Sequence, residues 1–434
     1  MPLLIRNALL VSGKKADVLI EGNRISKIGS FSASAEERLD ASGKLLIPGF
    51  INTHTHSAMS LFKGMAEDMT LYSWLSCVRA AEKNISPKQV RAGASLACLE
   101  MIKGGTTCFS DMYFHMDAVA AAVQESGMRA VLGYCVVDGG NEKSNGKKPG
   151  IKSANPRAMK SELSIAEKFV KDWQGKAKGR ITCSIAPHSI YLCSGELLVA
   201  ADALSKKFKC PYHIHLSETR KEVFDCLSSH GKRPAYYLDS LGVLSRRTVA
   251  AHSVWLTKEE VRLLAARGVS SSLCAVSNCK LAGGSVAPLP EMQQFGMNVS
   301  LGTDGSASSN SLSMFESMKF CALLQKNSRW DASVARAGSM FSAATLGGAH
   351  ALSLHAGGLR EGKLADLILI DAKSANLVPA YDWTANLVYS AHAGNVTDTI
   401  IDGKVVMQNR KMLTLDEEKV VEEAKKEAGK LAGG

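Results

Sequence analysis

The chain has no Cys-x-x-Cys pair, no uncharged apolar run of 18 residues, and few aromatic residues, 6% of 434. Each shortage closes off a class of function. Without cysteines at that spacing, a zinc ribbon and the thiolate-ligated nucleobase deaminase signature are both excluded, so any metal must be held by histidine and carboxylate. Without a long apolar run, and with no apolar segment behind a basic leader in MPLLIRNALLVSGKKADVLIEG, neither a membrane span nor a secretory leader is expected. The eleven cysteines are an odd number in a long chain, which suits reduced thiols in the cytoplasm better than a disulfide framework. The net charge is +11, yet the surplus is dispersed. Its densest stretch, 139–157 with Lys143, Lys147, Lys148, Lys152 and Arg157, has no aromatic residue interleaved, so neither nucleic acid nor a membrane is an expected partner.

What is present is an ordinary globular composition, 46% hydrophobic and 21% charged. Eight short β-branched runs alternate with helix-like segments, at 45–56, 105–112, 128–137, 180–188, 209–216, 248–254, 268–276 and 297–304, which argues for parallel βα units. One helix is marked at both ends: SPKQVRAGASLACLEMIKGG opens on Ser86 and Pro87 and stops at Gly104. Eight such strands are the count of a TIM (β/α)8 barrel, while periodicity alone leaves a doubly wound sheet open. The polar residues that end the strands, His54, His56, Asp111, His188, His215, His252 and Asp304, favour the barrel, where functional groups gather at that face. Residues 1–47 and 361–413 alternate as short strands do and predict one small β-sandwich domain made from both chain ends. The barrel then spans 48–360, and 414–434 reads as an exposed helix with i,i+4 Glu/Lys pairs.

His54-Thr55-His56 puts two imidazoles on one side of a strand, within reach of one ion about 2.0–2.1 Å from each nitrogen. His213 and His215 repeat the pattern, with Glu218 three residues on; period two does not say which of them is the ligand. His252 and Asp304 have plain readings too, as a core histidine and a turn residue before glycine. Together, imidazole and carboxylate without thiolate suit a divalent ion with a position open for water, and a nearby glutamate completes the equipment for hydrolysis at an electrophilic carbon.

The segments PGFINTHTHSAM, PHSIYLCS, HIHLSET, AHSVWLT, LGTDGSASSNSLSMFE and LADLILID resemble the amidohydrolase superfamily, and within it the deaminases of S-adenosylhomocysteine, methylthioadenosine and 5'-deoxyadenosine. The resemblance implies an amidohydrolase-type barrel with one divalent ion, zinc first with iron or manganese open, on His54, His56, His215 and Asp304. It selects His215 because the family's ligand precedes the glutamate by three, and leaves His213 an ordinary barrel residue. It makes Glu218 the proton shuttle, Asp304 also the general base, and His252 the group that orients the attacking water. Glu82 would hold the ribose hydroxyls, and His188 and Trp74 would touch the substrate, a core tryptophan being the other reading of Trp74. The implied reaction is hydrolytic deamination of the adenine ring of a 5'-modified adenosine, by a cytoplasmic homo-oligomer acting on a small-molecule nucleoside. The alternative is a guanine or cytosine free-base deaminase with the same metal site. The fourth strand candidate ends Ala186-Pro187-His188 with no lysine, against the carbamylated-lysine branch. Two departures stand out. Tyr134 occupies the place of an arginine that holds the homocysteine carboxylate, a role Lys152 or Arg157 could take over, and 273–278 reads Leu-Cys-Ala-Val-Ser-Asn where relatives have H-C/N-P-x-S-N.

Overall fold

Eight parallel strands hydrogen-bond to one another in chain order: β1 (Phe50–Thr55), β2 (Thr106–Tyr113), β3 (Arg129–Val136), β4 (Ile181–Pro187), β5 (Tyr212–Leu216), β6 (Thr248–His252), β7 (Ser270–Leu273) and β8 (Asn298–Leu301). The computed structural model describes residues 2–139 and 156–432. The ring closes between β8 and β1, where the Thr53 hydroxyl donates to the Leu301 carbonyl at 3.0 Å and the Asp304 N–H donates to the His54 carbonyl at 3.0 Å. Gly302 permits that approach, since a Cβ there would lie 2.8 Å from the Cβ of His54. Every residue of β1 and β2 is buried, as expected of parallel strands covered on both faces. The helix Pro87–Lys103 forms as its sequence spells out: Ser86 and Gln89 make a reciprocal capping box, and Gly104 caps the other end.

Both chain ends contribute to a second, mixed sheet of nine strands, joined where Leu367–Asp371 runs antiparallel to Lys44–Pro48. Alternation sorts the side chains at this seam. Leu46, Leu367 and Leu369 pack with Leu3, Val18 and Ile20 in a small core, while Leu45, Ile47, Ile368 and Ile370 face the large core that includes the barrel. Arg129, at the start of β3, ties the two parts together, with Nε donating to Asp366 at 2.6 Å and Nη2 donating to Asp402 at 2.8 Å, all buried or nearly so.

The charged tail differs from its sequence reading. The helix Glu417–Ala432 packs along Pro87–Lys103 and buries Ala424 and Glu427, with Lys103 held to Glu417 at 2.5 Å. Charge density marked its outer face and said nothing of the inner one. Lys143, Lys147, Lys148 and Lys152 lie outside the described residues; Arg157 is exposed at the start of the helix Pro156–Trp173. Among the described residues no helix is long and apolar enough to cross a membrane.

Candidate metal centre and active site

Three strand ends leave the barrel through residues in the left-handed region: Ser217 (φ 50°), His252 (φ 68°) and Asp304 (φ 64°). For non-glycine residues this costs about 1–3 kcal/mol each, so the surroundings must hold the conformation. At β5 the holder is Glu222. Buried on the helix Arg220–His230, it accepts the N–H of Ser217 at 2.9 Å and of Glu218 at 2.8 Å, which fixes the turn that sends Glu218 into the barrel mouth. Burial pushes the Glu222 carboxyl up to about 7, against those two bonds.

Ring nitrogens of His54, His56 and His215 lie within 4.8 Å of one another. Asp304 Oδ1 is 3.6 Å from His54 Nε2 and 3.3 Å from His56 Nε2, close to the roughly 3.4 Å that separates two ligands on a tetrahedral ion bound at about 2.05 Å. Each ring has its other nitrogen engaged. His56 Nδ1 donates to the Met112 carbonyl and His215 Nδ1 to the His188 carbonyl, both at 2.7 Å, while His54 Nδ1 meets His213 Nε2 at 3.0 Å. His56 and His215 therefore turn Nε2 lone pairs toward a common point, and His54 Nε2 lies beside it. His54 Nε2 is fully buried without a hydrogen-bond partner, a costly state unless a cation takes the lone pair, so these residues fit a divalent ion. Burial lowers His54 to about 4 and holds His215 well below its usual range, so both are neutral. Burial also pushes Asp304 upward, but the adjacent imidazoles of His54, His56 and His252 outweigh it and hold the carboxyl well below its usual range.

Around this floor is a cavity of about 300 Å³ that also exposes Trp74, Glu82, His188, Glu218 and His252. All nine expected site residues thus meet at one barrel mouth, His54 forming part of the floor behind His56. Burial, then the charge of Asp304, raise Glu218 to about 8, so it carries a proton at neutral pH. His252 Nε2 stands 3.9 Å from Glu218, and Asn278 Nδ2 donates to His252 Nδ1 at 3.0 Å, which places the ring proton on the cavity side. Asp304 Oδ2 accepts from Ser277 at 2.6 Å and from Ser308 at 2.9 Å, leaving Oδ1 toward the histidines. The divergent 273–278 segment therefore still supplies its serine and asparagine to the site. Cys274 also lies within 4.8 Å of nitrogens of His54 and His252, but burial holds its thiol well above its usual range, and a protonated thiol is a poor ligand.

Trp74 satisfies both of its readings: it is buried, its indole N–H donates to the Ala307 carbonyl at 3.1 Å, and it walls the cavity. Glu82, raised by burial, accepts from the Tyr113 hydroxyl. His188 stacks on His215 with centroids 4.5 Å apart. Tyr134 lies elsewhere. Its hydroxyl donates to Glu162 at 3.4 Å, and its ring lines an adjoining cavity of about 490 Å³ that shares Glu82 and Phe114 with the first. Asp111 is buried beneath the turn after β1, where it accepts from the N–H and hydroxyl of Ser57. Three contributors escaped sequence reasoning: Glu222, Ser277 and Arg79. Only Arg79 had a local signal, since it precedes Glu82 by three on the helix Leu71–Glu82 and lines the same cavity.

The model of the amidohydrolase family matches residues 45–406. Over 423 residues the chain is 42% identical to a 5'-deoxyadenosine deaminase of Methanothermobacter thermautotrophicus, covering 97% of this chain and 96% of the relative. It is 41% identical over 435 residues to a 5-methylthioadenosine/S-adenosylhomocysteine deaminase of Archaeoglobus fulgidus, covering 100% and 99%. Among solved structures, an adenosine deaminase of Xanthomonas campestris with bound zinc superimposes with a TM-score of 0.91 at 30% identity, over 100% of this chain and 99% of that one. With its barrel, its histidine-rich mouth and matches that run almost end to end, the chain belongs to the amidohydrolase family of metal-dependent hydrolases.

Proposed function

We propose that this protein deaminates the adenine ring of 5'-modified adenosines, with one divalent ion, zinc by preference, on His54, His56, His215 and Asp304. The observation that carries the reading is the convergence of three imidazoles and an ionised carboxylate beside a buried, protonated glutamate. The ion supplies Lewis-acid activation of water. Asp304 takes a proton from the attacking water as its oxygen adds to C6, and Glu218 gives its proton to N1. His252 donates its Nε2–H to the incoming oxygen. Asp304 then returns its proton to the amino group, Glu218 recovers one from the C6 hydroxyl, and the C6–N bond breaks to release ammonia and the inosine analogue. The eleven unpaired cysteines suit a reducing cytoplasm.

Glu82 separates this reading from its free-base alternative, because guanine and cytosine have no ribose for a carboxylate to hold. A panel of adenosine, 5'-deoxyadenosine, methylthioadenosine, S-adenosylhomocysteine, guanine and cytosine, followed by ultraviolet change and ammonia release, should show turnover of the nucleosides alone. Glu82→Ala should raise KM for nucleosides about 10- to 100-fold, the range for hydrogen bonds to a charged group. Unchanged nucleoside kinetics would hand the site to the free-base reading.

Within the panel, the 5' group should matter in a set order. Where relatives that take homocysteine carry an arginine, this chain has Tyr134 bonded to Glu162, a carboxylate that burial raises. A substrate carboxylate finds no arginine fork at that position, and the cations on that cavity wall are the single-point ammonium groups of Lys83 and Lys168. 5'-Deoxyadenosine and methylthioadenosine should exceed S-adenosylhomocysteine in kcat/KM by roughly fivefold or more, about 1 kcal/mol. If S-adenosylhomocysteine is best, and Arg157→Ala or Lys152→Ala abolishes that preference, the basic stretch has replaced the arginine and this order is wrong.

A further inference from the structure

We infer that His213 is a positioning residue for the metal centre, fixing the tautomer of His54 so that its Nε2 lone pair points at the ion. This rests on the metal site proposed above. His56 and His215 donate their Nδ1 protons to main-chain carbonyls, which only accept, so their Nε2 lone pairs are set by the backbone. The Nδ1 of His54 has no carbonyl. Its partner is a second imidazole, His213 Nε2 at 3.0 Å, whose own Nδ1 stands 3.2 Å from the Ser110 hydroxyl, and all three side chains are buried.

Such a chain can hold its protons in two directions. In one, Ser110 donates to His213 and His213 donates to His54, so the His54 proton sits on Nε2, facing Asp304. In the other, His54 donates to His213 and His213 donates to Ser110, and Nε2 is bare. Only the second binds a cation. No proton is gained or lost between the two; each moves to the other nitrogen of its ring. His213 is thus the acceptor that a carbonyl provides for the other two ligands, and second partners of this kind are worth about 10- to 100-fold in metal affinity.

The test is zinc affinity by competition with a chromophoric chelator, on wild type, His213→Phe, which fills the space without an acceptor, and His213→Gln, whose side-chain carbonyl oxygen reaches the place of Nε2. Phenylalanine should weaken zinc about 10- to 100-fold and glutamine should recover much of that. In the zinc-loaded wild type, nitrogen-15 spectra of labelled histidine should show His54 and His213 both protonated at Nδ1, a readout that stands even where a variant fails to fold. Zinc held equally well by wild type and His213→Phe, or a His213 protonated at Nε2, overturns the inference and leaves the metal site intact. A wild type that takes up no ion overturns the metal site itself, and this inference with it.

Discussion

Glu218→Gln is expected to lower turnover by roughly 10²- to 10⁴-fold while leaving zinc content unchanged and KM nearly so, because the variant loses a proton donor that acts only in the transition state. The amide has the same shape and can still bond the ring, but it has no proton to give to N1. The environment explains why a carboxyl can serve at all. Glu218 is buried next to the ionised Asp304, and burial first, the neighbouring charge second, lift it from its ordinary 4.5 to about 8. The sign follows. The protonated form is the active one, so activity should fall on the alkaline side as Glu218 ionises, with a bound dication drawing that limb below 8. Steady-state kinetics across pH check both parts: the alkaline limb present in the wild type should vanish from what activity the variant retains. A variant with wild-type turnover would remove Glu218 from the reaction.

Asp304→Ala should be more severe, on the order of 10⁴-fold or greater, because one side chain serves as ligand and as base. The carboxylate is tightly specified: Ser277 and Ser308 occupy Oδ2, the Gly305 N–H donates to Oδ1 at 2.8 Å, and the backbone is left-handed. Alanine removes the acceptor for both serines and the negative charge among three imidazoles. Metal analysis separates the two roles. Asp304→Ala should lose zinc, and excess zinc should restore occupancy without restoring rate, since no base returns with the ion. Full recovery of rate by added zinc would leave Asp304 a ligand only.

Much of this was legible in the sequence, and the failures share a cause. His54, His56 and His215 declare themselves through alternate spacing at strand ends, and the helix after Ser86 announces its caps, because both signals are local. The duty of His213 is not local: its partner stands on β1, 159 residues away. Period two placed His213 and His215 on the same face and left their roles open; their partners separate them, His54 and Ser110 for one and the His188 carbonyl for the other. Ser277 looked like the remnant of a broken motif until Asp304 stood beside it. The tail helix misled through composition, since a charged sequence hides the single strip, Ala424 and Glu427, that docks.

The seam between the chain ends sets a timetable for the chain as it is made. Leu45–Ile47 form their ladder with Ile368–Ile370, so that strand leaves the ribosome about 320 residues before its partner exists, roughly 15–60 s at 5–20 residues per second. Throughout that interval one apolar edge of Lys44–Pro48, next to the first metal-ligand strand, stands without its partner while the barrel residues are being made. An unpaired strand edge is a template for wrong pairing, and a pause in translation before Leu367 would lengthen the time it stays open.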